Sequence, residues 1–277
     1  MMNKKIIIVG CGWLGQQIAP AFNDAGWQVY GSRRNHAAAQ SLASPILGIT
    51  LPLDNAAPSA ALLALFKDAW VICAIPPGGR AGGTTDYLVV LKRLALLCQQ
   101  AGSKGGIHIS STGVYQGLTG EVDETAVLQV AQPRVALLAE GEEVLRDNGP
   151  WLTLRLSGLM GPGRHPGRFV QGKTLSGAAH PLNMVHSNDV ANAILAILQH
   201  WPLPQPYYNL SAPQAVSKAT FYQAALEQLG STASINFTAE PTEHARRVLA
   251  MALSRDTGFS YQFPDAIQAL AACDVKS

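Results

Sequence analysis

The sequence predicts an α/β protein: a doubly wound, mostly parallel sheet with a smaller C-terminal lobe. Three observations carry that expectation. Short β-rich runs alternate with longer helical stretches through the first half; the first run, Lys5–Val9, is continuous and branched; and a glycine-rich turn separates it from the first helix. A length of 277 residues suits one large or two modest domains.

Lys5–Val9 reads as a strand buried on both faces. A helix follows through Ala25, with Gly26 where a C-cap belongs. Trp27–Tyr30 is the next strand candidate, Gly48–Leu53 a weaker one and Ala69–Ile75 a strong one. Tyr87–Cys98 is apolar at helical spacing and on further positions besides, so this helix is expected to bury more than one face. Ile107–Ser111 and Leu152–Leu156 read as strands flanking a helix at Pro133–Arg146. Past residue 160 the pattern loosens into Gly/Pro loops with helices near 189–199 and 217–229. The expected division is therefore 1–160 for the sheet domain and 161–277 for the smaller lobe, interleaved with the last sheet strands.

Composition narrows the function classes. Apolar residues make up 48% and charged residues 14%, which excludes a disordered polyelectrolyte. A net charge of +2 leaves no electrostatic footprint for nucleic acid or an anionic membrane, and no apolar stretch approaches bilayer length. The four cysteines (Cys11, Cys73, Cys98, Cys273) form no CxxC or CxxH pair, so no metal site is expected and reduced thiols in the cytoplasm are. Lys4 and Lys5 before an apolar stretch resemble a secretory signal, but three glycines break it, and the segment reads as the first strand.

Gly10-Cys11-Gly12-Trp13-Leu14-Gly15 places GxGxxG directly after a strand and at the start of a helix. The first glycine permits the tight turn, the second lets the backbone approach a diphosphate, and the third lets helix and strand pack closely. The first-turn N–H groups, Trp13 and Leu14 among them, and the helix dipole then favour phosphate charge. The other reading is a glycine-rich structural turn; its place in a βαβ series favours a Rossmann-type dinucleotide site. An acid at the end of the second strand would select NAD. The segment here reads Tyr30-Gly31-Ser32-Arg33-Arg34, so Ser32, Arg33 and Arg34 are candidates for the 2′-phosphate of NADP, with NAD kept as the alternative and a solvated basic loop as the other reading. Asp54 stands where an adenine contact or an ordinary turn residue would. Ile75 and Pro76, opening the Pro76-Pro77-Gly78-Gly79 loop, would border the adenine and diphosphate side.

His108-Ile109-Ser110-Ser111-Thr112-Gly113-Val114-Tyr115 resembles the SSxxVYG stretch of extended short-chain dehydrogenase/reductases, the sugar-nucleotide epimerase/dehydratase group. Leu154-Arg155 through Gly161-Pro162-Gly163-Arg164 resembles that family's LRxxxxYGPGR segment, and Val185-His186-Ser187-Asn188-Asp189-Val190-Ala191 its HVxDVA element. The GWLG turn and the run Gly161–Phe169 are similar to the YeeZ-like bacterial branch of atypical members. The resemblance implies that Ser110 borders the cofactor and that Ser111 stands at the catalytic Ser/Thr position. It also implies pairing of two copies through helices at about 84–101 and 132–149.

The departures bear on activity. Active members carry Tyr-x-x-x-Lys on the next helix, the Tyr handling the proton and the Lys lowering its pKa. Here Arg134 stands at the Tyr place and Leu138 at the Lys place. Ser111 alone cannot run proton transfer. Tyr115 and His186 are the candidates to replace the acid, against the plainer readings of an aromatic wall and a hydrogen-bonded loop histidine. Arg164, His165, Arg168 and Lys173 gather positive charge in a Gly/Pro loop, either a clamp for phosphate or carboxylate or a solvated loop. Two functions remain: an NAD(P)-dependent oxidoreductase, epimerase or dehydratase acting on a sugar nucleotide or similar small anion, or a cofactor-binding sensor or scaffold that has shed catalysis.

Overall fold

Ile6, Ile7, Ile8 and Val9 are at most 1% exposed, as a strand covered on both faces must be. The computed structural model describes residues 4–53, 57–78 and 84–274. In chain order the first elements are β1 (Lys5–Val9), α1 (Trp13–Asp24), β2 (Gln28–Arg33), α2 (His36–Gln40), β3 (Leu47–Thr50), α3 (Ala60–Phe66), β4 (Trp70–Cys73), α4 (Thr84–Ala101) and β5 (Gly105–Ser111). Then come β6 (Gly120–Val122), α5 (Pro133–Arg146), β7 (Trp151–Leu156), β8 (Gly158–Met160), α6 (Gly167–Val170), β9 (Thr174–Ser176) and β10 (Met184–His186). The last are α7 (Ser187–Gln199), β11 (Tyr207–Leu210), α8 (Lys218–Gln228), β12 (Asn236–Thr238), β13 (Arg246–Val248) and α9 (Ala252–Thr257).

Seven strands form one sheet in the order β11-β7-β5-β4-β1-β2-β3. The pairings β1–β2, β1–β4, β2–β3 and β4–β5 are all parallel. The chain winds from β1 out to β3, then returns to β4 on the other side of β1. The winding therefore reverses between β1 and β4, and in open α/β sheets ligands bind in the crevice at the carboxyl ends of such strands. Local signals set the helices that frame it. Gly26, with φ +78°, ends α1, and the Trp27 N–H closes the turn on the Phe22 carbonyl at 2.9 Å. Pro133 stands in the first turn of α5, where its missing N–H costs nothing.

The predicted strands and long helices are all present, β1 and α5 with the expected ends and the others with shifted ones. The second strand runs on to Arg33 instead of stopping at Tyr30, because Gly31, Ser32 and Arg33 pair with Gly48, Ile49 and Thr50 of β3. Two short helices, α2 and α3, lie in stretches with no predicted element.

The chain forms two compact units. The first comprises residues 1–114, 130–155 and 203–207, and the second 115–129, 156–202 and 208–277. The second therefore takes in residues 115–129, ahead of the expected boundary at 160. Each has its own core: Ile7, Val9, Phe66, Val71, Leu91 and Leu94 in the first, and Met160, Phe221, Ala225, Leu270 and Cys273 in the second. The second also carries three two-stranded parallel pairs, β8–β10, β9–β12 and β6–β13. All four cysteines are buried and free. No helix among the described residues is long and apolar enough to cross a membrane.

Candidate functional site

The glycine turn sits at the β1 end of the switch-point crevice. Gly10 has φ +78°, and a β-carbon built on it would lie 3.1 Å from the Ala74 carbonyl and the Ile75 nitrogen. Only glycine fits both the backbone and that close approach of β1 to the segment after β4. On Gly15 a β-carbon would meet Ile8 and Cys11 side chains at 3.0 Å, so helix and strand press together there. Gly12 is different: among the described residues nothing but the Gly10 carbonyl comes within 4 Å of its added carbon. Among those residues α1 therefore begins with room at Gly12, and no side chain of theirs caps it at the N-cap position. Its N-terminal dipole faces a place where an anion is favoured.

The end of β2 is tied to this turn twice. The Gly10 N–H donates to Ser32 Oγ at 3.1 Å and the Cys11 N–H to the Ser32 carbonyl at 3.0 Å. Ser32 is buried, Arg33 half-buried and Arg34 exposed. Arg33 Nε is buried and has no hydrogen-bond partner among the described residues, a cost that an incoming anion would offset. Burial pushes the Cys11 thiol up to about 11, with the Arg33 charge working the other way, which places that cation against the turn. Asp54 and Gly79 lie outside the described residues. Ile75 is half-buried and Pro76 exposed, following directly on the Ala74 carbonyl that Gly10 approaches.

At the end of β5 the two serines part. Ser110 turns its hydroxyl inward to Glu142 Oε1 at 2.6 Å, so only its backbone is left to border a cofactor. Ser111 is half-buried, and its Oγ accepts from the Gly113 N–H at 3.0 Å. A β-carbon on Gly113 would lie 3.2 Å from Ser111 Oγ and 3.3 Å from Leu138 Cδ1. The residue at the Lys place thus lies beside the serine turn, and it is a methyl-bearing side chain with no charge. Arg134, at the Tyr place, is exposed.

In the second unit Tyr115 is wholly buried, and its phenol donates to Asn209 Oδ1 at 2.8 Å. Asn209 Nδ2 is anchored on the Leu249 carbonyl, and Arg246 donates to the Tyr115 carbonyl. The phenolic proton is therefore already engaged, which is the geometry of a wall. His186 is buried, accepts the Asn188 N–H at Nδ1, and meets the Phe263 ring edge-on at 4.6 Å. Burial lowers its pKa to about 4, so the ring is neutral near pH 7. Asp189 is fully buried, and its Oδ1 accepts the Gln262 N–H at 2.6 Å. Burial raises its pKa to about 6, with the Gln262 and Phe263 N–H groups working the other way.

The basic run is dispersed by its surroundings. His165 is buried, and burial lowers its pKa. Arg168 is exposed, with Nη2 3.7 Å from Asp274 Oδ1. Arg164 donates to the Leu159 carbonyl and lies over the Phe169 ring, and Lys173 is exposed. Asp274 sets part of the loop's charge locally, which sequence position could not reveal. Glu142 and Arg155 in the first unit and Asn209 in the second are buried polar groups to which the sequence reading gave no role. The one signal was an acid on the apolar face of α5, four residues after Leu138.

Comparison with known proteins agrees with the fold. No family model matches the chain. The UDP-glucuronic acid 4-epimerase of Bacillus cereus, solved in complex with NAD, matches with a TM-score of 0.75 at 17% identity, over 97% of each chain. MoeE5, solved with UDP-glucose and NAD, matches with a TM-score of 0.77 at 18% identity, over 97% of this chain and 96% of that one. At such identities the likeness is one of fold. Protein YeeZ of Escherichia coli (strain K12) is 32% identical over 278 residues, spanning 95% of this chain and 98% of that protein. With the glycine turn, the SS segment and the GPGR loop in the same order on an α/β sheet, the chain belongs to the YeeZ family, on the fold of the NAD-binding epimerases.

Proposed function

We propose that the chain binds a nicotinamide dinucleotide at the glycine turn, NADP in preference to NAD, and acts on a small anionic substrate such as a sugar nucleotide. The observation that carries the reading is the start of α1 at the crevice between β1 and β4, where among the described residues Gly12 has room beside it and no side chain caps the helix. Gly10, Gly12, Trp13, Leu14 and Gly15 would hold the diphosphate. Arg33, with its unpartnered Nε, and Arg34 would hold a 2′-phosphate, while Ser32 anchors the turn they flank. The solved Bacillus cereus epimerase and MoeE5 both hold NAD, and MoeE5 holds UDP-glucose as well, which supports a nucleotide-sugar substrate.

A bound nicotinamide supplies hydride exchange. Ser111 would polarise the substrate oxygen by donating its hydroxyl proton, while the Gly113 N–H donates to one of its two lone pairs and orients it. Arg164, Arg168, Lys173, His165 and His186 are the residues through which the second unit would receive an anion. Leu138 beside the serine turn favours a second reading, a dinucleotide-binding sensor or scaffold, because nothing there lowers a phenol's pKa or grips the ribose. In either reading, exposed Val89 and Leu96 on α4, one heptad apart, support pairing of two copies through α4 and α5.

Isothermal titration tests the cofactor. NADPH is expected to bind at least about tenfold more tightly than NADH, and an Arg33→Ala/Arg34→Ala double variant to lose that margin. Equal affinities, or a margin that survives the double substitution, would overturn the NADP assignment. Conversion of a sugar nucleotide, followed as product by chromatography because epimerisation and dehydration return the hydride and leave the nicotinamide unchanged, separates enzyme from sensor.

A further inference from the structure

Glu142 is an expensive residue in its place. It is 1% exposed on α5, among Val135, Leu138 and Leu145, and a carboxylate taken out of water is tolerated only when it is paired and fully hydrogen-bonded. Both conditions are met. Arg155 of β7, itself 3% exposed, grips it with two nitrogens: Nε at 3.1 Å from Oε1 and 3.2 Å from Oε2, and Nη2 at 2.6 Å from Oε2. The Arg155 guanidinium in turn lies 4.2 Å above the Tyr207 ring, which fixes its plane. The remaining link is the Ser110 hydroxyl, donating to Oε1 at 2.6 Å.

Ser110 is the penultimate residue of β5, and consecutive strand residues point to opposite faces. A hydroxyl held on one face sets how the next side chain leaves the other. Leu138 and Glu142 are four residues apart on α5 and so lie on one face. The first lies beside the Gly113 turn and the second holds Ser110. One helix face therefore reaches both Ser110 and the turn that follows Ser111.

We propose that Glu142, gripped by Arg155, acts through Ser110 as a positioning residue for Ser111. The Ser110 hydroxyl, which the family resemblance turns toward a cofactor, serves here as the tether. A buried ion pair used this way contributes geometric definition more than stability. Only the optical readout of its test rests on the nucleotide reading proposed above.

The Gly113 N–H is a built-in reporter, because it donates to Ser111 Oγ. Ser110→Ala leaves the Glu142–Arg155 pair intact and removes the tether. Hydrogen exchange on the nucleotide-free protein should then show the Gly113 amide exchanging about tenfold faster, the loss expected of one hydrogen bond's constraint. Ser110→Thr, which keeps a hydroxyl, should restore it. Glu142→Gln, which keeps an oxygen for Ser110 but weakens the Arg155 grip, should give a smaller rise of the same sign. Ser59→Ala, which removes a cap elsewhere on the first unit, should lower stability comparably and leave Gly113 unchanged.

With NADPH bound, Ser110→Ala should also change the emission of the nicotinamide, and Ser59→Ala should not. Unchanged Gly113 exchange in Ser110→Ala, or an equal rise in Ser59→Ala, overturns the inference whether or not nucleotide binds. Failure of wild-type protein to bind NADPH or NADH overturns the proposed function instead, and Gly113 exchange still decides the tether.

Discussion

Gly10 leaves the least latitude of any residue at the crevice. A methyl group there meets the backbone at Ala74 and Ile75, which cannot swing aside as a side chain would, in a conformation with φ +78°. Gly10→Ala is expected to cost about 1–2 kcal/mol from the left-handed backbone alone, measured by chemical denaturation, and to weaken NADPH binding by more than tenfold. Asp189 makes a different claim. Burial raises its folded pKa to about 6, above the ordinary range of an aspartate, so the folded chain holds a proton that the unfolded chain releases. The stabilisation this gives is fully present below about pH 4 and is lost as pH rises through about 6, a change of about 3 kcal/mol. Asp189→Asn cannot titrate, so its stability relative to wild type should rise across that window; a constant difference from pH 4 to 7 would remove Asp189 as the source. Tyr115→Phe strips the donor from the buried Asn209 Oδ1 and should cost about 1–3 kcal/mol. If it leaves NADPH affinity intact and lowers only stability, the wall reading holds over the catalytic one.

At the scale of elements, burial on both faces made β1 legible, because a strand covered on each side needs apolar residues at every position and Ile6–Val9 supplies them. α5 was legible to the residue, since Pro133 marks the first turn and the apolar positions follow. What escaped the sequence was short or long-range. β2 gains its last three residues from pairing with β3, a partner that local composition does not name. α3 is seven residues long, too short for periodicity to speak, yet its start was written in Ser59, whose hydroxyl accepts the Leu62 N–H at 3.2 Å. Ser59→Ala should cost about 1 kcal/mol, read as a lower denaturation midpoint with an unchanged denaturant slope. The glycine turn of the candidate site was legible because it is a local device. Ser110 facing Glu142, Tyr115 bonding Asn209 and Arg168 facing Asp274 join residues 32, 94 and 106 positions apart, and no spacing rule reports such contacts.

For the whole molecule the proposed site predicts a stability that depends on nucleotide. A ligand that binds only the folded chain adds RT ln(1 + [L]/Kd), about 2.7 kcal/mol at a hundredfold excess over Kd. For a chain of this size 1 kcal/mol moves Tm by about 2–4 °C, so saturating NADPH should raise Tm by roughly 5–10 °C. NADH at the same concentration should raise it less, because only NADPH carries the 2′-phosphate that Arg33 and Arg34 would meet. Salt separates that cause from others. Arg34 is exposed and Arg33 half-buried, so raising ionic strength from about 0.1 to 1 M shortens the screening length from about 10 to 3 Å and should erode the NADPH margin toward the NADH shift. The contribution of the glycine turn should survive, because neutral N–H groups at a helix start would hold the diphosphate of both nucleotides alike. A margin that persists undiminished at high salt would place the discrimination in shape rather than charge, and would move it away from the two arginines.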